Sequence, residues 1–253
     1  MTTEGRSLEV IEKTFEVIEY LWTNDGARVT EIASDLGMPP STVHNHLSTL
    51  TQLSVLTQEN EVYYLGLAFL RYGRYVQQRT NVYRTAEKYV QELIDETGYR
   101  SVFVVEENGQ AVFLHTRSGQ NPSWKHAAEG ERESLHLLAA GKAILAHLPP
   151  AEVDEIVRQN GLDGRTSQSI TDPATLDAEL ETVRERGYAL NLEENTEGVH
   201  AVGVPAKTTS GRVVGGFSVS GPSNRLTESE LEGSLPDEIR GIVNEFELEL
   251  ELA

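Results

Sequence analysis

The stretch PPSTVHNHLSTL, residues 39–50, is polar without being charged. Residues 38–58 contain no Asp, Glu, Lys or Arg. The rest of the chain is heavily acidic, with 40 Asp and Glu against 21 Lys and Arg and a net charge of −19. Pro39 and Pro40 lack an N–H and have a fixed φ, so they belong at the opening of a helix. At ~100° per residue, Val43, Leu47 and Leu50 fall on one narrow stripe that should face a core. Ser41, Asn45 and Ser48 fall opposite. Thr42 and His44 flank that outer side, Thr49 lies near it, and His46 sits closer to the core edge.

The surrounding sequence gives this helix a context. Ser7 can cap a helix with apolar positions Ile11, Phe15, Ile18, Leu21 and Trp22, ended by the turn Asn24-Asp25-Gly26. Val29 reads as a lone extended residue. Thr30 then caps a second helix carrying Ile32, Ala33 and Leu36, stopped by Gly37. After the third helix, residues 53–58 and 61–65 read as two strands around a Glu59-Asn60 turn. Three helices followed by a hairpin is the order of a winged helix-turn-helix. Its third helix enters the major groove, where Asn reads adenine and Ser or Thr reaches base edges or phosphates. A carboxylate on that face would meet phosphates at contact distance, where no ion fits to screen it. The missing charge in residues 38–58 is thereby explained. Arg28 and Arg6 are the nearby cations, and the face expected to meet duplex DNA is Arg28, Pro40, Ser41, Thr42, His44, Asn45, Ser48 and Thr49. So few cations imply that hydrogen bonds and shape carry much of the affinity.

Composition bounds the setting. So acidic a chain repels nucleic acid in dilute salt. In molar salt the Debye length falls to about 3 Å and the repulsion fades; the charge, the scarcity of Lys, two Met and no Cys fit a halophile's cytoplasm. Absence of Cys excludes disulfides, thiol nucleophiles and zinc–thiolate sites. The first twenty residues do not resemble a signal peptide, and no apolar run approaches the ~18 residues of a membrane span. A soluble cytoplasmic protein is expected. Residues 1–79 hold six Lys and Arg and ten Asp and Glu, a balance of −4, against −15 for the remainder.

The organisation expected is a winged helix over residues 1–65, a linker helix over 66–81 and a second domain over 82–253. In the second domain, Val82, Ala86, Tyr89, Val90, Leu93 and Ile94 form a helical stripe, taken as core rather than a dimer seam. SVFVVEENGQAVFLHTR is a hairpin turning at Asn108-Gly109. SLHLLAAGKAILAHLPP reads as a loop entering a helix ended by Pro149-Pro150. Asp172-Pro173 opens a helix that stops at Gly187. YALNLEE, VHAVGVPAKT and RVVGGFSVSG read as strands, the last two joined by Ser210-Gly211. TESE, residues 227–230, is a capping box opening the C-terminal helix. Strand pairs flanked by helices predict an antiparallel sheet in an α+β domain.

Other chemistry is weakly supported. GFSVSG is no nucleophile elbow, because Ser220 stands where Gly is needed. His115, His126, His136, His147 and His200 lack metal-ligand spacing, so satisfied or solvated histidines are expected and no metal or cofactor. Trp124 with Arg117 and His126 reads equally as a lid over a pocket or as packing. Glu193-Glu194 reads as a solvated strand end, with cation binding or acid–base work as the sharper alternative.

Residues 29–50 (VTEIASDLGMPPSTVHNHLSTL), SLHLLAAGKAILAHL, RERGYALNLEENTEGVHAVGVPA and GGFSVSGPSNRLTE together resemble the IclR family of transcriptional regulators, of a haloarchaeal type. The resemblance covers nearly all of the chain. It implies a winged helix joined by a linker helix to a GAF-like α/β effector-binding domain. It also implies a homodimer through the DNA-binding units, often paired into a homotetramer, and a small organic effector, commonly a carboxylate or catabolic intermediate. Carried over by position, the effector pocket would comprise Ala139, Ala140, Gly141, Asn191, Ala201, Ser218 and Ser220. Ala139–Gly141 at a helix start could offer N–H groups to an anion, and Ser218 and Ser220 alternate along one strand toward one side. Asn191 and Ala201 stand where some relatives carry a carboxylate or thiol. Asn45 and His46 stand where Arg and Leu are frequent.

The expectation is an effector-responsive, non-enzymatic regulator that binds double-stranded promoter DNA of a catabolic operon, for sugars or organic or aromatic acids. Two alternatives stay open: a small-molecule sensor acting through protein contacts, and an enzyme in the C-terminal domain.

Overall fold

The computed structural model describes residues 8–118 and 127–252. The chain divides into two compact units, Met1–Gln77 and Gln78–Ala253.

The first unit begins with α1 (Glu9–Thr23), β1 (Ala27–Arg28), α2 (Val29–Asp35) and α3 (Pro40–Gln52). The hairpin β2 (Leu56–Glu59) and β3 (Val62–Leu65) follows, then α4 (Ala68–Gln77). The strands form a three-stranded antiparallel sheet in the order β1-β3-β2. Pro40 is the first residue of α3, as its missing N–H predicts. Val43, Leu47 and Leu50 are buried and pack with Val17, Leu21, Ile32, Leu56 and Tyr63.

Local details differ from the sequence reading. Ser7 lies outside the described residues. Val29 is not extended but opens α2, and Arg28 is its N-cap, so Thr30 is not a cap; the Arg28 N–H donates to Glu31 Oε2 at 2.7 Å instead. The hairpin turns at Asn60-Glu61, with Asn60 in the left-handed region at φ 58°, one residue later than expected. In α1 only Val17 and Leu21 are buried, while Ile11, Phe15 and Trp22 are exposed. Helical periodicity showed an apolar helix there, but it could not separate two apolar stripes on one helix.

The second unit opens with α5 (Asn81–Thr97), capped by the Thr80 hydroxyl, which accepts from Tyr83 N–H. The hairpin β4 (Arg100–Glu107) and β5 (Gln110–Arg117) turns at Asn108-Gly109, both with positive φ. Then come β6 (Arg132–Ser134), a single 3-10 turn (Leu135–Leu137), α6 (Ala139–Leu145), α7 (Pro150–Asn160) and α8 (Pro173–Arg186). The chain closes with β7 (Ala189–Leu192), β8 (Val199–Lys207), β9 (Val213–Pro222), α9 (Glu228–Leu231) and α10 (Leu235–Leu252). The six strands make one antiparallel sheet, ordered β6-β5-β4-β9-β8-β7.

The sheet separates two cores. Phe103, Phe217 and Val219 face the helices α5 and α10, where Phe246 meets the Phe217 ring edge-on at 5.0 Å. Ala86, Tyr89, Val90 and Leu93 belong to this core, as the α5 stripe predicts. Val102 and Val104 point the other way, toward α6 and α8. Three boundaries depart from expectation. Pro149 and Pro150 do not merely end a helix: α6 stops at Leu145, and Pro150 opens α7, which the sequence reading lacked. The Thr227–Glu230 capping box exists, with the Thr227 N–H donating to Glu230 Oε2 at 2.9 Å, but it opens the single turn α9 rather than the C-terminal helix. Strand β6 carried no recognisable alternation.

Candidate functional site

Two surfaces carry the candidate residues, one in each unit. On α3, Pro40, Ser41, His44, Asn45 and Thr49 are exposed, and Thr42 and Ser48 are half-buried. The periodicity therefore put the correct residues outward, with Val43, Leu47 and Leu50 as the buried stripe. The Thr49 hydroxyl donates back to the Asn45 carbonyl at 2.8 Å, leaving it lone pairs but no free proton. His46 turns to α1, with its Nδ1 2.9 Å from the Thr14 hydroxyl. Arg28 on β1 is exposed, and its Nε lies 3.7 Å from Glu61 at the hairpin tip. Glu59 and Glu61 make that tip acidic. The sequence reading followed the charge gap along residues 38–58 and missed that Glu61, just beyond it, meets Arg28 in space. Arg6 lies outside the described residues.

In the second unit a pocket opens on the α6 side of the sheet. Strand register places Arg100, Ser220, Ala201 and Asn191 side by side across β4, β9, β8 and β7. The next row on the same face is Val102, Ser218, Gly203 and Ala189. Helix α6 reaches the sheet at that second row because no Cβ intervenes. A Cβ on Gly203 would collide with the backbone of Ala139 and Ala140, and one on Gly216 would crowd the Ala140 carbonyl. Beyond the start of α6 the first row stays uncovered, and the uncovered floor is the pocket.

Ala139, Ala140, Asn191, Ala201, Ser218 and Ser220 all line it. Gly141 does not: it faces the Leu135 backbone, and only a hydrogen fits there. The pocket holds about 100 Å³, several times the ~10–15 Å³ that one water needs on the same measure. The Ser218 and Ser220 hydroxyls have no hydrogen-bond partner among the described residues. Asn191 has a different task. Its Nδ2 donates to the Leu137 carbonyl at 2.6 Å, and its Oδ1 accepts from the Glu194 N–H at 3.1 Å, so it frames the pocket between the 3-10 turn and the end of β7. Arg100, Phe113, Asn195 and Thr196 also line the pocket and were not anticipated. Parity along β4 could have found Arg100, since it shares a face with Val102 and Val104.

Behind the pocket lies a buried charge cluster. Lys142 on α6 is 1% exposed and donates to Glu194 at 2.7 Å and to Glu179 at 3.1 Å. Burial raises the Glu194 pKa despite the adjacent ammonium, and Glu194 Oε2 has no partner. The expectation of a solvated Glu193-Glu194 strand end is thus corrected for Glu194, which β7 turns inward. His115, His136, His147 and His200 each contact a backbone carbonyl, of Tyr83, Asp163, Ala143 and Leu226. No group of three metal-ligating side chains occurs among the described residues. Arg117 pairs with Glu87 and Glu129, and the suggested lid residues Trp124 and His126 lie outside the described residues. Among the described residues no helix is long and apolar enough to cross a membrane.

A winged helix-turn-helix followed by a six-stranded sheet with a ligand-sized pocket defines a sensor-type DNA-binding protein. Comparison with known proteins agrees in both parts. Residues 10–60 match the IclR helix-turn-helix domain, and residues 74–246 match the bacterial transcriptional regulator IclR C-terminal domain. The chain belongs to the IclR family of transcriptional regulators, with an N-terminal DNA-binding domain and an effector-binding C-terminal domain. It is similar to the "Probable HTH-type transcriptional regulator ArcR" of Halobacterium salinarum, 29% identical over 99% of this chain and 97% of that protein. The crystal structure of the Thermotoga maritima IclR superposes with a TM-score of 0.79 at 27% identity, covering 96% of this chain and 97% of that one. An IclR homologue of Microbacterium hydrocarbonoxydans complexed with 4-hydroxybenzoate shares the fold, with a TM-score of 0.81 at 19% identity, over 97% of this chain and all of that one.

Proposed function

We propose that this regulator controls a catabolic operon for sugars or organic acids, binding promoter DNA as a homodimer or a pair of homodimers. In this reading Ser41, Thr42, His44, Asn45, Ser48 and Thr49 meet the duplex, with Pro40 setting the start of the helix and Arg28 at its flank. A small organic effector occupies the pocket of Ala139, Ala140, Ala201, Ser218 and Ser220, framed by Asn191, and Gly141 supports α6 from behind. The domains are residues 1–65, 66–81 and 82–253, the middle segment being the linker helix. The cytoplasm of a salt-adapted cell is the setting that fits the charge.

The observation that carries the effector reading is the pair of unpartnered hydroxyls, Ser218 and Ser220, on the floor of a pocket. Neither hydroxyl is sealed away from the pocket, so a molecule entering it can accept their protons. A dimer is supported by apolar surface that the protomer leaves bare. On α1, Ile11, Phe15 and Trp22 are exposed and lie within ~40° of one another around the helix, and Leu8 just before it is exposed too. Helix α4 has no buried residue, and its Leu70, Tyr72, Tyr75 and Val76 are exposed. Effector binding then alters the spacing of two reading heads, which must match the helical pitch of the operator.

The test is a promoter-fragment titration in concentrated KCl with and without candidate effectors. Asn45→Ala should weaken specific binding about tenfold or more, the equivalent of ~1–3 kcal/mol for a lost bidentate base contact. Ser218→Ala should leave effector-free binding unchanged and blunt the effector response. An operator affinity and footprint indifferent to every effector would overturn the reading. Phe15→Glu should convert dimers to monomers in sedimentation.

A further inference from the structure

Among the described residues that line the pocket, Arg100 is the only charged one. It stands at one end of the floor row, beside Ser220 across the β4–β9 ladder. Its Nη2 donates to the Ala127 carbonyl at 3.0 Å, and its guanidinium carbon lies 5.6 Å from the centre of the Phe113 ring. Its Nε is buried with no hydrogen-bond partner. No carboxylate pairs with it among the described residues, whereas Arg117, Arg132, Arg165 and Arg186 each hold one. Glu131 acts on it only at longer range than an ion pair, and in a chain with 40 carboxylates a largely buried guanidinium without a directly paired one calls for an explanation. Burial lowers its pKa to about 10, so it is fully cationic at neutral pH. Arg never deprotonates to relieve such burial and presents a planar fork that suits a carboxylate.

We propose that Arg100 selects the charge of the ligand, taking the single carboxylate of a small organic acid. The Ser220 and Ser218 hydroxyls donate beside the same anionic end. The body of the ligand lies over Ala201 and Val199, where the floor is apolar. Its far end is neutral and hydrogen-bonding, because only the uncharged Asn195 and Thr196 meet it there. A second anionic group would find no second cation on the described walls, so dianions are disfavoured. This assignment rests on the reading of the pocket as the effector site and narrows it to monoanionic acids with a polar, uncharged distal group.

The experiment is calorimetric titration of the full chain in KCl with lactate, glycerate and 4-hydroxybenzoate, with their amides, and with succinate as the dianion. At least one monoacid should bind, with its amide and succinate at least tenfold weaker. Arg100→Gln should weaken that acid tenfold or more, while Arg100→Lys retains part of the affinity. The thermal midpoint of each variant without ligand shows that it is folded. Equal affinity of acid and amide, undiminished binding by folded Arg100→Gln, or no binding by any of the three acids overturns the assignment. The two readings separate in parallel promoter titrations. An acid bound through Arg100 that leaves operator affinity unmoved removes the sensing reading and keeps the anion site. An amide that moves operator affinity as its acid does keeps the sensing reading and removes the role of Arg100.

Discussion

At the scale of single residues, position in space changed the meaning of several charges. Glu61 is unremarkable in the sequence, yet the β2–β3 turn carries it to Arg28, one of the few cations near the reading helix. Both are exposed, so the pair adds little to stability. Under the proposed reading its effect is on the field at the face of α3 that meets DNA. Glu61→Lys removes a carboxylate there and frees Arg28; operator affinity in filter binding should rise several-fold, most visibly at the lowest salt the protein tolerates. Glu194 is the opposite case, a carboxylate that the fold hides. Burial is the largest influence on it and holds its pKa above the usual 4.5, outweighing Lys142. A carboxyl whose pKa is raised on folding takes up a proton between its unfolded and folded values. Its stabilising contribution is therefore full below pH ~4.5 and lost as pH rises through the folded value. Denaturant titrations should show wild type losing stability relative to Glu194→Gln as pH is raised through that window. A pH-independent difference would mean that Glu194 titrates as an ordinary carboxyl.

At the scale of elements, the pocket exists because a short helix rests on two glycines. Gly203 and Gly216 let α6 touch β8 and β9, and the strand positions just beyond the helix start are left open. Gly203→Ala forces either α6 or the sheet to move. The expected cost is about 1–3 kcal/mol, as for other overpacked sites, seen as a lower denaturation midpoint together with loss of effector binding. Full stability with intact binding would show that α6 is not seated as described. Helix α3 was legible from its residue types and spacing, because its buried face has one narrow stripe. Helix α1 was only half legible. Its exposed Ile11, Phe15 and Trp22 obey the same periodicity as its buried Val17 and Leu21. Nothing in a single chain's spacing says which stripe meets the core.

At the scale of the whole molecule, 40 acidic and 21 basic residues give a net charge of −19. Such a chain repels itself in dilute buffer. Raising KCl from ~0.1 M to ~1 M shortens the screening length from about 10 Å to about 3 Å. The thermal midpoint should climb by several degrees over that range, and promoter binding should survive salt that dissociates lysine-rich DNA-binding proteins. A midpoint that falls with KCl would rule out salt adaptation as the reason for the charge.

The amino-acid sequence by itself determined the three-helix-and-hairpin order of the first unit, the neutral outer face of α3, the capped start of α8 and the hairpin at Asn108-Gly109. These depend on periodicities, caps and turn residues, which are local and written within a few positions of one another. The shared side of Ser218 and Ser220 is of the same kind, a strand's period of two. Only the tertiary structure decided which residues from distant strands stand in one row. Arg100, Ser220, Ala201 and Asn191 come together through sheet register, and register is set by pairing between segments as much as 120 residues apart. The inward turn of Glu194 toward Lys142 and the bare second stripe of α1 belong with them, since burial is a property of the packed chain and not of any stretch of it.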